Sequence, residues 1–179
     1  MKVHYFTPYS VEKNLGKSYN ECFEMIGEDD WACIRDGDTM FLTPDFGDIV
    51  FNYAYKNPGC VLTCYTNRIH SLAKEQIIWG SMQPEETKIE FCLGVANKQK
   101  DLTYQTTPCT GPLSGFLMLM SKKTWSQIKF NEGIGLLGVD TDFYKAARAL
   151  DIPILRMDGL YIWHTYRLGK SITDTTHLK

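Results

Sequence analysis

The stretch DDWACIRDGDTMF (residues 29–41) decides how the chain folds. Its centre, Trp31 to Ile34, is an unbroken apolar run, which is typical of a strand covered on both faces, as in parallel sheets. An Asp-Gly pair between apolar segments is also a strong signal for a hairpin turn. A hairpin arm with one wet face should alternate apolar and polar residues, however, and this run does not. We therefore predict an interior strand, and no hairpin turn at Asp36-Gly37.

Helical and extended patterns alternate on both sides of this strand. The predicted helices begin near Leu15, Pro44, Thr124 and Asp140, and Thr43 is predicted to cap the second of them. The predicted strands are Val3 to Phe6, Trp31 to Ile34, Cys60 to Tyr65, Ile89 to Val95, Gly115 to Met120, Pro153 to Met157 and Leu160 to Trp163. Residues 97–111 are predicted to form a long loop. Such alternation predicts one α/β domain over residues 1–179, with 170–179 as a flexible tail. Its core would be a mainly parallel mixed sheet inside a three-layer sandwich.

Composition excludes several classes of function. The chain has 179 residues and a net charge of −2, so it carries no basic surface for a nucleic acid backbone. A phosphate-bearing ligand would be small and neutralised locally, for instance by a metal ion. The six cysteines form no C-x-x-C pair, which favours a reducing compartment. A signal peptide's apolar region and a bilayer-spanning apolar run are both lacking, so a cytoplasmic protein is expected.

Two carboxylates, Asp36 and Asp38, flank Gly37 at the end of the apolar run. In open α/β sheets, ligands bind beyond the carboxyl ends of the strands. Carboxylate oxygens there suit Mg²⁺ or Mn²⁺ bridging phosphate groups. A hairpin or a solvated turn would account for the same three residues without any ligand.

Two more acids, Asp140 and Asp142, open a helix after a glycine-rich loop. Asp140 as helix cap and Asp142 as a partner of the helix dipole would explain both without chemistry. The functional alternative makes one of them a general base that faces a cleft.

A histidine, His164, ends the aromatic run that begins at Leu160. A lone His after an apolar strand is more often a core residue than a ligand. Neutral imidazole is nevertheless a good ligand for ions such as Mn²⁺. Arg167 and Lys170, just beyond it, are cations that could meet a diphosphate.

Four parts of the sequence, taken in order, resemble the family 2-like glycosyltransferases with the A-type, Rossmann-like nucleotide-diphosphate-sugar transferase fold. They are FTPYSVEKNLGKSYNE (6–21), DDWACIRDGDTMF (29–41), GFLMLMSKKTWSQI with FNEGIGLLGVDTDFYKAARAL (115–150), and LYIWHTYRLGKS (160–171). The likeness covers roughly the first 55 residues and positions 113–170, and it describes 60–112 only weakly.

The resemblance implies a role for each matching residue. It implies Asp38 and His164 as metal ligands, with Asp36 contacting the donor ribose or a metal-bound water. It implies Asp140 as the base that takes the acceptor proton. The remaining residues so implied are Thr7, Pro8, Tyr9 and Lys17 for the donor. By position in the chain alone, Ser114, Gly115 and Asp142 are expected in the acceptor region.

The implied reaction moves a sugar from a nucleotide-diphosphate donor to an acceptor hydroxyl, with inversion and with Mn²⁺ or Mg²⁺ as cofactor. A UDP-sugar is the first expected donor, and a glycan or another hydroxyl compound the acceptor. Two features depart from the family pattern. The acid-x-acid motif comes early because two strands of the nucleotide-binding half are missing, which truncates the fold, and Val139 stands where a Glu usually precedes the base. A non-catalytic nucleotide-sugar or glycan binder, a sugar nucleotidyltransferase and a metal-dependent phosphodiesterase stay open as alternatives.

Overall fold

A computed structural model of the chain describes residues 1–70, 72–166 and 168. The helices are α1 (Leu15–Glu24), α2 (Phe46–Lys56), α3 (Ile89–Gln99), α4 (Lys122–Ile128) and α5 (Val139–Ala149). The strands are β1 (Val3–Phe6), β2 (Trp31–Arg35), β3 (Thr39–Phe41), β4 (Val61–Thr66), β5 (Thr106–Pro108), β6 (Leu117–Ser121) and β7 (Ile154–His164). The predicted tail, residues 170–179, lies outside the described residues.

The seven strands form one open mixed sheet in the order β1-β2-β6-β4-β7-β3. The strand β5 also pairs with β7, near its beginning, whereas β3 pairs with its end. Strands β1, β2, β4 and β7 run in one direction, and β3, β5 and β6 run in the other. The strand β2 lies between β1 and β6, and Trp31 to Ile34 are all buried. The prediction of an interior strand is therefore confirmed, and no hairpin forms because β3 pairs with β7 instead of β2.

Helices cover both faces of the sheet. Ala32 and Ile34 of β2 face a cluster formed with α1, α4 and α5, whereas Trp31 and Cys33 face α2. The same alternation along β7 directs Leu160 and Ile162 towards α2, while Tyr161 and Trp163 pack against α3 on the opposite face. The α/β fold with helices on both sides is thus as predicted.

The largest difference from the sequence prediction is at residues 89–111. Ile89 to Val95 is a helix and not a strand, because its buried residues Cys92, Val95 and Ala96 follow helical spacing. The predicted loop at 97–111 contains the end of α3, a 3₁₀ turn at Lys100–Leu102 and the strand β5. A short apolar run does not by itself distinguish a strand from a buried helix.

Two smaller predictions were also wrong. The two closing strands are one strand, β7, whose register with β4 jumps from Met157 to Tyr161 and passes over residues 158–160. Thr43 does not cap α2: its hydroxyl is buried without a hydrogen-bond partner among the described residues, and the cap position is Asp45.

All six cysteines are buried and free. No helix in the described part of the chain has both the length and the apolarity to cross a membrane.

Candidate functional site

The short strand β3 brings Asp38 and His164 together. It begins directly after Asp38 and pairs antiparallel with the end of β7, so that Thr39 lies opposite His164. The next residue on that side, Thr165, donates its backbone N–H to the carbonyl of Asp38 (3.0 Å). Residues distant in sequence are thereby fixed side by side by backbone hydrogen bonds.

The side chains of Asp36, Asp38 and His164 form what we call the acid–His cluster. His164 Nε2 lies 3.2 Å from Asp38 Oδ1 and 4.0 Å from Asp36 Oδ2. One ligand atom from each residue can be chosen so that all lie within 4.8 Å of one another. The predicted convergence of these three side chains is therefore present.

The cluster is buried on one side and open on the other. The His164 side chain is 3% exposed, whereas those of Asp36 and Asp38 are 42% and 46% exposed. A ligand from solvent would reach the carboxylates first and the imidazole behind them.

The two carboxylates have opposite pKa shifts. The pKa of Asp36 is raised to about 6, chiefly by burial of its carboxyl group; His164 opposes the rise, and the carboxylates of Asp38 and Asp140 add to it. Burial also raises the pKa of Asp38, but the hydrogen bond and charge of His164, with the Thr165 hydroxyl, outweigh it and lower the pKa overall. Two acids and a buried imidazole thus share one negative recess that a cation would neutralise.

A cleft of about 280 Å³ adjoins the cluster. Its lining combines polar groups with an apolar wall, and comprises Leu15, Tyr19, Asp36, Ser114, Gly115, Leu136, Leu137, Gly138, Val139 and Asp140. Asp36 belongs to both the cluster and the cleft, so the two form one continuous candidate site.

Asp140 lies in this cleft but does not cap its helix. The cap position of α5 is Gly138, at φ 81°, and the helix begins at Val139, so the expectation of an Asp140 cap is wrong. Its carboxylate instead accepts the backbone N–H of Gly115 (2.8 Å) and that of Thr141 (2.7 Å). A Cβ at Gly115 would lie 2.8 Å from Asp140 Cβ, so this approach requires glycine.

The other residues expected at the site are placed less closely together. Thr7 lies near Gly37, where a Cβ would be 3.4 Å from the Thr7 methyl. Lys17 binds Glu12 (3.2 Å) and lines a separate small cavity with Tyr9.

Four expected residues remain. Pro8 is partly exposed, and Asp142 lies in the first turn of α5 outside the cleft lining. Arg167 and Lys170 lie outside the described residues.

The sequence analysis missed Asn67, which holds the backbone of His164. Its Oδ1 accepts the His164 N–H (2.7 Å) and its Nδ2 donates to the carbonyl of Glu86 (3.0 Å). Asn67 is fully buried, and the Phe116 ring packs on the His164 imidazole at 5.5 Å. The available signal was an amide directly after the apolar strand β4, at the edge where its parallel neighbour β7 also ends.

The cluster fits a divalent metal ion by its donor set. Carboxylate oxygens with an imidazole nitrogen suit Mn²⁺ or a similar ion, and Nε2 of His164 is the nitrogen that faces both acids. A metal-bound His usually donates its other N–H to an acceptor. Nδ1 of His164 is buried and has no such partner among the described residues. The three side chains could therefore hold an ion, but within the described part of the chain the imidazole lacks its usual support.

The sequence matches no protein-family model and no curated protein. A fold of this class hosts many unrelated activities. Inference about function must therefore start from the geometry of the site.

Proposed function

We propose that the protein is a metal-dependent glycosyltransferase, which moves a sugar from a nucleotide-diphosphate donor to an acceptor hydroxyl with inversion. The observation that carries this proposal is the continuity between the acid–His cluster and the cleft that contains Asp140. A cation site and a free carboxylate in one recess are what transfer from a diphosphate donor needs.

Asp36, Asp38 and His164 would hold the ion. When bound, a divalent ion would neutralise the diphosphate leaving group, a role worth several kcal/mol of transition-state stabilisation. Asp36 then has a second task, because it also lines the cleft and can contact the donor ribose or a bound water.

Asp140 would take the proton of the acceptor hydroxyl. The backbone N–H groups of Gly115 and Thr141 fix its carboxylate. Oδ1 also accepts the Thr141 hydroxyl at 3.5 Å, whereas Oδ2 accepts only the Gly115 N–H among the described contacts and keeps a lone pair for a substrate. A positioned base contributes about 10²–10⁴-fold to the rate. This factor corresponds to about 3–5 kcal/mol, so the base and the stabilised leaving group would contribute to a similar extent. A base on the face opposite the leaving group gives inversion at the anomeric carbon.

The lining of the cleft suits a sugar ring. Leu15, Leu136 and Leu137 can pack on C–H faces, while Asp36 and Ser114 can bind hydroxyls. Ligand sites commonly combine an apolar wall with a few polar groups in this way.

A second candidate function is a non-catalytic binder of nucleotide sugars or glycans. The observation in its favour is that the described sheet ends at β1, which pairs with β2 alone. No strand extends the half of the described sheet where a donor nucleotide would lie.

The experiment is a thermal-shift screen of nucleotide sugars with and without Mn²⁺, followed by product analysis. Binding at 100 times Kd would stabilise the folded state by about 2.7 kcal/mol. Metal-dependent stabilisation with release of a nucleoside diphosphate supports transfer, and stabilisation without turnover supports the binder. Formation of a nucleoside triphosphate and a sugar 1-phosphate only when pyrophosphate is added identifies a nucleotidyltransferase. No stabilisation by any metal and donor pair would contradict the proposal.

A further inference from the structure

Gln76 lies in a 3₁₀ turn (Lys74–Gln76) of the segment that sequence motifs describe least, and it is fully buried. Its Oε1 accepts the backbone N–H of Ser114 (2.8 Å). Its Nε2 donates to the carbonyl of Ser114 (3.0 Å) and to the Thr63 hydroxyl (2.7 Å). Both amide hydrogens and the amide oxygen of Gln76 are therefore used, and two of these three hydrogen bonds are made to the backbone of Ser114, which lines the cleft.

The bonds to Ser114 fix the direction of the next N–H. The peptide between Ser114 and Gly115 is planar and trans, so its C=O and N–H point in opposite directions. Since Gln76 holds the carbonyl of Ser114, the N–H of Gly115 must point the other way. That N–H donates to Asp140 Oδ2 at 2.8 Å.

We propose that Gln76 is a positioning residue for the candidate base Asp140, acting through the Ser114–Gly115 peptide. A role of Gln76 in catalysis rests on the proposed function, whereas its indirect contact with Asp140 rests on the geometry alone. Amide, peptide and carboxylate form a chain of hydrogen bonds that polarise one another. The chain holds Oδ2 of Asp140 and leaves the second lone pair of that oxygen to the cleft, while Oδ1 accepts the Thr141 N–H.

A purely structural role for Gln76 makes a different prediction. The neighbouring residue Glu75 already anchors the same loop, since its carboxylate accepts the N–H of Thr110 (3.0 Å) and of Gly111 (3.2 Å). Glu75 does not touch the Ser114 peptide in the described contacts. Loosening the loop at Glu75 should therefore leave Asp140 in place, whereas removing the Gln76 amide should not.

The direct test observes the Gly115 amide by NMR. Ser114-Gly115 is the one Ser-Gly pair in the sequence, so ¹³C-carbonyl serine with ¹⁵N-glycine yields a single correlated signal from that peptide. In Gln76→Met we expect this signal to move upfield and its hydrogen exchange to accelerate about tenfold or more. In the control Glu75→Ala, we expect neither change. Asp140→Asn should move the signal too, which tests the bond from its other end.

Variants that keep the fold also separate the two levels of the proposal. Where transfer is measurable, Gln76→Met should lower kcat about tenfold with the donor KM unchanged, and Glu75→Ala should change neither by more than about twofold. Absence of transfer in the wild type would contradict the proposed function and leave the NMR result to judge the contact.

An unchanged Gly115 signal in Gln76→Met, or equal changes in Glu75→Ala, would overturn the inference. If Gln76→Met does not fold, the isosteric Gln76→Glu, which keeps an acceptor and loses both donors, replaces it. Failure of both variants to fold would assign the amide to the core and overturn the inference as well.

Discussion

The acid–His cluster and the buried amides behind it differ in exposure, in charge and in how fully they are hydrogen-bonded. Asp36 and Asp38 are nearly half exposed, carry charge and keep free lone pairs towards solvent. Asn67 and Gln76 are fully buried and neutral, and both hold the backbone of the site, at His164 and at Ser114. The carboxylates that would face a ligand keep unused hydrogen-bond acceptors, whereas the amides that hold the site in position use theirs.

The difference has an energetic consequence. Removing a cluster carboxylate should weaken ligand binding and leave the fold intact, because these carboxylates are nearly half exposed and water can replace them. Removing a buried amide should weaken the fold itself, because each backbone group left unpaired in the interior costs about 1–3 kcal/mol.

The largest expected effect concerns the cleft. Asp140→Asn should lower the rate of transfer by about 10²-fold or more, because an amide is no base. Its one oxygen can still accept the Gly115 N–H, and the Thr141 N–H that loses its acceptor is exposed to water, so the melting temperature and the metal-dependent donor binding should change little. Turnover at the wild-type rate would show that Asp140 only braces the cleft.

The amide side of the comparison is tested by Asn67→Ala. It leaves the His164 N–H unpaired and the Glu86 carbonyl with only the Cys92 thiol as a weak donor, so urea denaturation should show a loss of about 2–4 kcal/mol in the free energy of unfolding. The matched control is Asn57→Ala, whose amide bonds Tyr53 at the less buried end of α2 and should cost about 1 kcal/mol or less. Equal losses in the two variants would remove the distinction drawn here.

The cluster side is tested by Asp38→Asn in the presence of saturating Mn²⁺ and donor. The wild type should gain about 2.7 kcal/mol at 100 times Kd, a rise of about 5–10 °C in melting temperature. Asp38→Asn should not show this rise, so its melting temperature with Mn²⁺ and donor should equal its own value without them. Asp142→Asn, an acid outside the cleft, serves as control and should respond like the wild type; a full response in Asp38→Asn would exclude that carboxylate as a ligand.

The smallest effect is the pH dependence of the metal-free protein. Asp36 has its pKa raised from 3.8 to about 6, so the folded state binds this proton more tightly than the unfolded chain. The resulting stability is fully present below pH 3.8 and is lost as the pH rises through 6.

Asp36→Asn should therefore be more stable than the wild type at pH 7.5, by about 1 kcal/mol once the exposure of the side chain is allowed for. The advantage should shrink towards zero at pH 4. Thermal unfolding of both proteins across this range measures it, and a variant less stable than the wild type at pH 7.5 would contradict the repulsion.

Much of the fold and the charged part of the site could be predicted from the sequence. The apolar run of β2 specifies an interior strand by composition alone, and acids directly after it lie at the edge of the sheet where ligands bind. The position of His164 at the end of β7 follows from the same rule.

The contacts that assemble the site could not be predicted in this way. The strand β3 has only three residues, too few to show a period, yet its pairing with β7 is what joins Asp38 to His164. Asn67 and Gln76 lie in irregular segments, where an amide that bonds a distant backbone group looks like any polar loop residue. The wrong prediction of a strand at α3 has a similar cause, since a short apolar run fits both the helical and the strand period.

The most direct test of the central claim is pulsed electron paramagnetic resonance of Mn²⁺ bound to the protein. We expect nitrogen modulation from one imidazole in the wild type, its loss in His164→Gln, and a phosphorus coupling when UDP is added. Such couplings report nuclei within the first coordination shells of the ion, so they test the cluster and the diphosphate together. Mn²⁺ that binds without nitrogen modulation, or with the same modulation in His164→Gln, would contradict a metal and diphosphate site at Asp36, Asp38 and His164.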